Sequence, residues 1–244
     1  MKILVEHRMK KKFLAATLGL SFLIPFSSAE ARIKFNAPTN LGVPGRRVAG
    51  GARKQQDSCI SRGELKPLTA LVPKSNVGLT TAANPVLFFY IPQTSRPLEL
   101  VVQDENQKSF KQTYKSSGKA GIVGLPLTKT SLKVGSSYRW FLSVVCNPTE
   151  RSNDRVVDGT IKRIQPSELL TKLNNATPTQ RVNIYAEAGI WQDSLATLAA
   201  LRLSNPNNAQ LKSDWTTLLS AESVGLRPES TEPLLQGREA PQPN

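Results

Sequence analysis

Histidine and cysteine are the residues of this chain most suited to catalysis or metal binding, and the chain has very few of them. It contains one histidine, His7, and two cysteines, Cys59 and Cys146. His7 falls in a leader that we expect to be removed, so the mature chain would lack a histidine for a Ser-His-Asp or Cys-His mechanism. It would also lack the commonest zinc and copper ligand. Most hydrolase mechanisms are thereby excluded, and we expect neither a cofactor nor a metal.

The two cysteines are interpreted most simply as a structural disulfide. Disulfides persist in oxidising compartments, and a leader peptide would send this chain to one. A redox switch is the alternative, but Cys59 and Cys146 lack the Cys-x-x-Cys spacing that would favour it. The sequence alone leaves open whether the two are bonded to each other.

Acidic clusters offer the remaining route to catalysis. Asp104 and Glu105 are adjacent, and Glu150, Asp154 and Asp158 lie close together in the chain. Glycoside cleavage needs two carboxyl groups across a cleft, whereas neighbouring residues of a strand point to opposite faces. The second cluster alternates with arginines, which favours ion pairs in a loop. We therefore expect turns at both places and keep a carboxylate-based enzyme acting on envelope glycans as the alternative function.

The first 31 residues have the pattern of a secretory signal peptide. The basic patch Met-Lys-Lys-Lys at 9–12 is followed by the uncharged run Phe13–Phe26 and by the small-x-small cleavage site at 29–31. The apolar run is shorter than the roughly 20 residues that span a bilayer. We expect an exported protein, periplasmic or extracellular, with no transmembrane segment in the mature chain, and with translation starting at Met1 or Met9.

Positive charge is concentrated at the front of the predicted mature chain. Residues 32–244 contain 27 Lys and Arg against 16 Asp and Glu, and residues 32–56 contain six basic residues and no acid. This glycine-rich segment is expected to be a flexible arm, and in the simplest interpretation a plain linker. The alternative is an anionic partner, a polysaccharide or lipid headgroups rather than nucleic acid. The candidate anion-binding residues are Arg46, Arg47, Arg53 and Lys54.

Residues 57–165 are predicted to form an antiparallel immunoglobulin-like β-sandwich. Short β-branched and aromatic runs alternate with glycine, proline and polar turns throughout this region. The aromatic side chains in these runs are expected in the core, with a sugar-stacking platform as the alternative. They are Phe88, Phe89, Tyr90, Tyr138 and Trp140.

Residues 166–226 change to the helical period, and residues 227–244 are expected to be a disordered tail. The segment from Tyr185 to Pro206 resembles one tetratricopeptide repeat, with Gly189 where two helices approach closely. One repeat cannot form a concave groove, so a helical hairpin packed on the sandwich is one interpretation. A docking surface for a partner protein is the other, and its candidate residues are Tyr185 and Trp191.

Several short sequence blocks of this chain occur together in one known family. They include the block 68–73, the proline-flanked run 85–92, the Tyr-x-Trp strand at 138–140 and the Tyr-Ala-x-Ala-Gly-Ile-Trp block at 185–191. The chain resembles a family of exported cyanobacterial proteins filed as domain of unknown function 928. The resemblance implies an exported location and supplies no catalytic residue. We therefore expect a non-enzymatic cell-envelope protein, a binding or adaptor module that contacts another protein, an anionic envelope component, or both.

Overall fold

The computed structural model describes residues 33–39, 41, 45–50, 59–61, 66–236 and 238–239. The predicted leader lies outside the described residues, as do the candidate anion-binding residues Arg53 and Lys54.

Short strands occupy most of the region predicted to be a sandwich, and two more follow the helices. The strands are β1 (Thr69–Ala70), β2 (Val77–Thr80), β3 (Val86–Ile91), β4 (Leu98–Gln103), β5 (Ser109–Lys115), β6 (Gly121–Pro126), β7 (Ser137–Val144), β8 (Arg155–Arg163), β9 (Leu234–Leu235) and β10 (Arg238–Glu239).

Within the described residues the strands form two sheets. A four-stranded sheet has the order β1-β3-β6-β9, and a six-stranded sheet has the order β10-β5-β4-β7-β8-β2. Most neighbours are antiparallel, but β2 pairs with β8 and β6 pairs with β9 in parallel. The sheets are therefore mixed, which corrects the purely antiparallel prediction. The alternation of buried and exposed residues shows which side chains share a face of a strand. It does not show whether a strand distant in the chain pairs with it in parallel or antiparallel.

Strand β3 explains how the layers are arranged. Leu87, Phe89 and Ile91 belong to a core between the two sheets, whereas Phe88 and Tyr90 belong to a second core shared with the helices. A strand buried on both faces needs an uninterrupted apolar run, which is the composition of β3. The four-stranded sheet is thus the middle layer, between the six-stranded sheet and the helices.

Four helices are present in the described part of the chain, and local sequence signals mark their ends. Thr177 and Gln180 form a reciprocal capping box at the start of the second helix. Gly189, after its end, has a φ of +73°, and a Cβ there would lie 2.7 Å from the carbonyl oxygen of Asn36. The helices are α1 (Ser167–Asn174), α2 (Pro178–Glu187), α3 (Trp191–Ser204) and α4 (Ala209–Ser220).

Residues 45–50 of the predicted flexible arm are held by both sheets. The backbone of Arg47 accepts a hydrogen bond from Ala70 at 2.8 Å, and Val48 forms a β-bridge with Thr69. The carbonyl of Arg46 accepts from the amide of Asp158 at 2.9 Å. Residues 45–50 therefore have a structural role, because their backbone groups form hydrogen bonds with both sheets.

The predicted disordered tail also contains regular structure. The amide of Ile122 donates to the carbonyl of Pro233 at 2.8 Å, β9 pairs with β6, and β10 pairs with β5. The unpaired backbone groups at the edge of a sheet can form hydrogen bonds with an extended segment of any composition. A polar, proline-rich segment is therefore ordered there, although its composition predicts disorder.

Cys59 and Cys146 form a disulfide, as predicted. The bond joins residues that are 87 positions apart and ties the segment before β1 to the end of β7. None of the helices in the described part of the chain has the length and apolar character that crossing a membrane requires.

Candidate binding face

One face of the six-stranded sheet packs on the core, and the other carries charged side chains. The cross-strand pairs Glu99 with Thr113, Val101 with Lys111 and Val101 with Phe141 all lie on this second side. We call it the outer face. Its basic residues are Lys111, Lys115, Arg139, Arg151 and Lys162, and its acidic residues are Glu99 and Asp158.

Glu99 organises one half of the outer face. Its carboxylate accepts from Lys111 at 2.7 Å and from Arg151 at 2.8 Å. Arg151 also binds Asp154 at 2.5 Å. The Lys111 side chain is 63% exposed, whereas the Glu99 side chain is 14% exposed. The cations therefore reach solvent while the carboxylate lies beneath them.

The ion pairs change the acidity of these groups. Burial alone would raise the pKa of Glu99, but the hydrogen bonds and positive charges of Lys111 and Arg151 outweigh it and lower that pKa. The hydrogen bonds from Arg151 to Glu99 and Asp154 raise the pKa of Arg151. Glu99 is consequently held as an anion and is poorly suited to act as a general acid.

Asp158 positions basic groups in the other half of the outer face. Its carboxylate accepts from Arg139 at 3.2 Å and from the backbone amide of Arg46 at 3.2 Å. The Arg139 guanidinium lies 5.0 Å from the ring centre of Phe141. Arg139 thus lies over an aromatic ring and is paired with a carboxylate, and both contacts orient its guanidinium.

The candidate anion-binding residues are not brought together as a group. Arg46 is exposed, and its backbone amide donates to the carboxylate of Asp158 at the border of the outer face. Arg47 instead donates to the carbonyls of Val72 at 3.2 Å and Val224 at 2.5 Å. Burial lowers the pKa of Arg47 despite the opposing charge of Glu229. The guanidinium of Arg47 therefore has a structural role, and its role as an anion ligand stays a prediction.

Of the candidate partner-binding residues, Trp191 is fully buried in the second core. Its indole N–H donates to the carbonyl of Leu71 at 2.7 Å. This position corrects its assignment as a docking residue, because no part of the ring reaches the surface. Tyr185 is partly exposed and lines two cavities.

The acidic clusters have structural roles. Asp104 accepts from the amides of Asn106 and Lys108, each at 2.9 Å, and so shapes the turn between β4 and β5. Asp154 accepts from the amide of Cys146 at 2.9 Å. Among the described residues, no group of three His, Cys, Asp or Glu side chains forms a possible metal site. The aromatic side chains proposed as a sugar platform are buried, as the core interpretation expects; they are Phe88, Phe89, Tyr90, Tyr138 and Trp140.

Sequence reasoning missed the outer face and a second polar site at the start of α3. The outer face has a partial signal in the sequence, since β4, β5 and β7 each have at least one charged residue on the side opposite their buried apolar residues. The second site has none. Asp193 binds the amide and hydroxyl of Thr81, which is 112 positions away in the chain.

The two mixed sheets, the helical layer and the basic outer face define a mostly β protein with a candidate binding surface on one sheet. Residues 48–234 match the model of the family described as Domain of Unknown Function (DUF928). The match covers most of the chain, so the protein belongs to this family. A search of the curated proteins found no match.

Proposed function

We propose that this protein is an exported, non-enzymatic binding module of the cell envelope. Its outer face binds an anionic polysaccharide. One observation carries the proposal: Lys111, Arg139 and Arg151 of the outer face are exposed, and the carboxylates that orient them are largely covered.

The charge of the outer face suits a polyanion better than a small anion. Five basic residues outnumber the three carboxylates that pair with them, those of Glu99, Asp154 and Asp158, and leave this face with an excess of positive charge. Lys111 on β5 and Arg139 on β7 are separated by one strand and by an offset of two residues along it, and thus by about 12 Å at the backbone. Cations at such intervals can contact successive negative groups of one polysaccharide chain. Salt screens each of these contacts.

The same geometry argues for binding rather than catalysis. Each acidic side chain of the outer face is held by a cation, and the lowered pKa of Glu99 keeps it from donating a proton. The carboxylate enzyme considered above therefore has no support in the arrangement of the outer face.

Export, and the cyanobacterial source suggested by the family resemblance, are parts of this proposal. Export is supported by the basic, apolar and small-residue pattern of the first 31 residues. The immunoglobulin-like and tetratricopeptide-like comparisons also belong here. The first is supported by the packing of the two sheets around a common core. The second is supported by the close approach of α2 and α3, where the hydroxyl of Ser194 donates to the carbonyl of Val182 at 3.0 Å.

The test is retention of the purified protein on immobilised dextran sulfate and polygalacturonate. The variant Lys111→Gln/Lys115→Gln/Arg139→Gln removes three cations from the outer face. The control Lys34→Gln/Lys172→Gln/Lys212→Gln removes three exposed cations elsewhere.

We expect the outer-face variant to elute at markedly lower salt than the control. Equal elution of the two variants would show that net charge alone causes retention and would overturn the assignment of the outer face. Preference for anionic phospholipid vesicles over both polysaccharides would overturn the polysaccharide as partner.

A further inference from the structure

A cavity beside α1, α2 and the end of β8 combines positive charge with an apolar wall. Its volume is about 380 Å³, which is large enough for a small-molecule ligand. Among the described residues that line it, none is acidic. Its charge comes from Arg163 and Arg181, and its apolar wall comes from Pro166, Leu169, Leu170 and Leu173.

Arg163, the last residue of β8, is held at the wall of this cavity by backbone carbonyls. Its Nε donates to the carbonyl of Thr81 at 3.1 Å, and its Nη1 donates to the carbonyl of Leu132 at 2.7 Å. Thr81 itself lines the cavity. The Nη2 of Arg163 donates to no described residue and is accessible to solvent. The protein therefore orients this guanidinium and leaves one of its nitrogens for a ligand.

Arg181 on α2 is anchored in a similar way. Its Nε donates at 3.2 Å to the carbonyl of Leu173, a residue of α1 that also lines the cavity. Its two Nη atoms donate to no described residue, and the residue as a whole is exposed. Both terminal nitrogens of Arg181 thus remain for a ligand.

Neither arginine is paired with a carboxylate of the described residues. The ion pairs among these residues include Arg139 and Arg151 of the outer face but not Arg163 or Arg181. Asp193 binds Thr81, but it lines the neighbouring cavity. Two guanidinium groups at one cavity attract an anion, and their planar forks match the geometry of a carboxylate.

The apolar wall is a second, independent observation. Leu169, Leu170 and Leu173 are spaced one, three and four residues apart, which places them on one side of α1. Leu173 is the one buried residue of this helix, whereas Leu170 is 47% exposed. The rest of the described protein therefore covers the apolar side of α1 incompletely, and an aliphatic chain in the cavity would cover it further.

We infer that this cavity binds a medium-chain fatty acid. The carboxylate accepts hydrogen bonds from the free nitrogens of Arg163 and Arg181, and the aliphatic chain packs against the leucines of α1. A phosphate or sulfate ion would leave the apolar wall unused, and a neutral alcohol would leave both arginines without an anion. A peptide C-terminus would place backbone amides against those leucines, where their desolvation is unfavourable. This inference does not depend on the outer face.

Octanoate is the probe, and three further compounds test its two parts. Octanol lacks the carboxylate, acetate lacks the chain, and N-acetylleucine represents the C-terminus of a peptide. Titration calorimetry on the full protein at pH 7, where the carboxylates are ionised, measures each affinity.

We expect octanoate to bind about tenfold or more tightly than each of the other three compounds. Failure of octanoate to bind, or equal binding by octanol, would overturn the carboxylate site. Equal binding by acetate would overturn the role of the apolar wall. Tighter binding by N-acetylleucine would identify a peptide C-terminus as the ligand and would overturn the fatty acid.

The first pair of variants tests the charge. Arg181→Gln removes one cation of the cavity, and the control Arg227→Gln removes an exposed arginine that does not line it. We expect the first variant to bind octanoate about tenfold more weakly and the control to bind it with full affinity. Equal affinities of the two variants would show that net charge alone attracts the probe and would overturn the assignment of the cavity.

A second pair decides the question even if Arg181→Gln does not fold. Leu170→Ala shortens the apolar wall, whereas Leu203→Ala makes the same change at a leucine of α3 with similar exposure, 42% against 47%. We expect octanoate to bind about threefold or more weakly to Leu170→Ala and unchanged to Leu203→Ala. Full affinity in Leu170→Ala would overturn α1 as the site of the chain. The outer-face variant described above should bind octanoate normally, so this inference and the proposed function can fail independently.

Discussion

Trp191 at the start of α3 donates its indole N–H to the carbonyl of Leu71, a residue 120 positions earlier in the chain. This hydrogen bond is buried and joins the helical layer to the middle sheet. The ring of Phe35 packs edge-on against the same tryptophan at 5.0 Å between ring centres. The helices are consequently fixed to the sandwich by a directional contact in addition to apolar packing.

Trp191→Phe should cost more stability than the same change at Trp140. Both tryptophans are fully buried and each has an edge-on aromatic neighbour, but the indole N–H of Trp140 has no partner among the described residues. Loss of the Trp191 hydrogen bond leaves an unpaired carbonyl, so the difference should be about 1–2 kcal/mol. Urea unfolding followed by circular dichroism measures it, and equal costs would contradict the role of this bond.

Removal of the disulfide should lower stability substantially. Closing a loop of 87 residues stabilises the folded state by roughly 4–5 kcal/mol in the chain-entropy estimate. The double variant Cys59→Ser/Cys146→Ser should therefore unfold at much lower urea concentration. A reducing agent should shift the unchanged protein toward the variant and leave the variant itself unaffected. A response of the variant to reductant would indicate a cause other than this bond.

Arg47→Ala and Arg46→Ala should have opposite phenotypes although the residues are adjacent. Arg47 donates to two backbone carbonyls, so its loss should cost about 2–3 kcal/mol. The exposed side chain of Arg46 contributes little to stability, but its charge borders the outer face. Retention on dextran sulfate should fall for Arg46→Ala and stay unchanged for folded Arg47→Ala. The reverse pattern would support Arg47 as an anion ligand.

The ion pairs of Glu99 should stabilise the protein at neutral pH and not in acid. The folded state ionises Glu99 at lower pH than the unfolded chain, in which glutamate has a pKa near 4.5. Its contribution is therefore complete above that pH and disappears as the pH falls through the lower, folded-state pKa. Glu99→Gln should cost roughly 1 kcal/mol at pH 7, because solvent screens half-exposed pairs. A cost that persists at pH 2 would contradict this origin.

Asp193 should have the opposite pH dependence. Burial raises its pKa above the ordinary value of 3.8, and the hydrogen bonds of Thr81 only partly offset that effect. The folded state therefore holds the proton more tightly than the unfolded state, and stability from Asp193 declines as the pH rises between the two pKa values. Asp193→Asn should be at least as stable as the unchanged protein at pH 7, and any advantage should vanish in acid. Marked destabilisation of Asp193→Asn at pH 7 would contradict this.

Much of the sandwich could be predicted from local patterns, since alternation marks the faces of β4 and β7 and the run of β3 marks a strand buried on both sides. The disulfide followed from the number of cysteines and the expected compartment. Helix ends were also readable, as at Gly189. These signals are local, so a single sequence displays them.

The remaining features depend on residues that are far apart in the chain. The composition around Arg47 predicts a flexible basic segment, because the carbonyls of Val72 and Val224 that bind its guanidinium are distant in the chain. Trp191 matches a repeat motif, but its burial could not be predicted from that motif, because it depends on packing against the four-stranded sheet. The pairing of Asp193 with Thr81 has no signature in either segment, because only the folded chain brings them together.

The strands β9 and β10 have a consequence for the order of assembly. The edges of β5 and β6 are completed by β10 and β9, which follow the four described helices in the chain. During synthesis or translocation these two edges therefore stay open after the rest of the sandwich has formed. Open edges pair readily with other chains. A chaperone that covers exposed sheet edges would therefore protect this protein most before β9 and β10 have been synthesised or translocated.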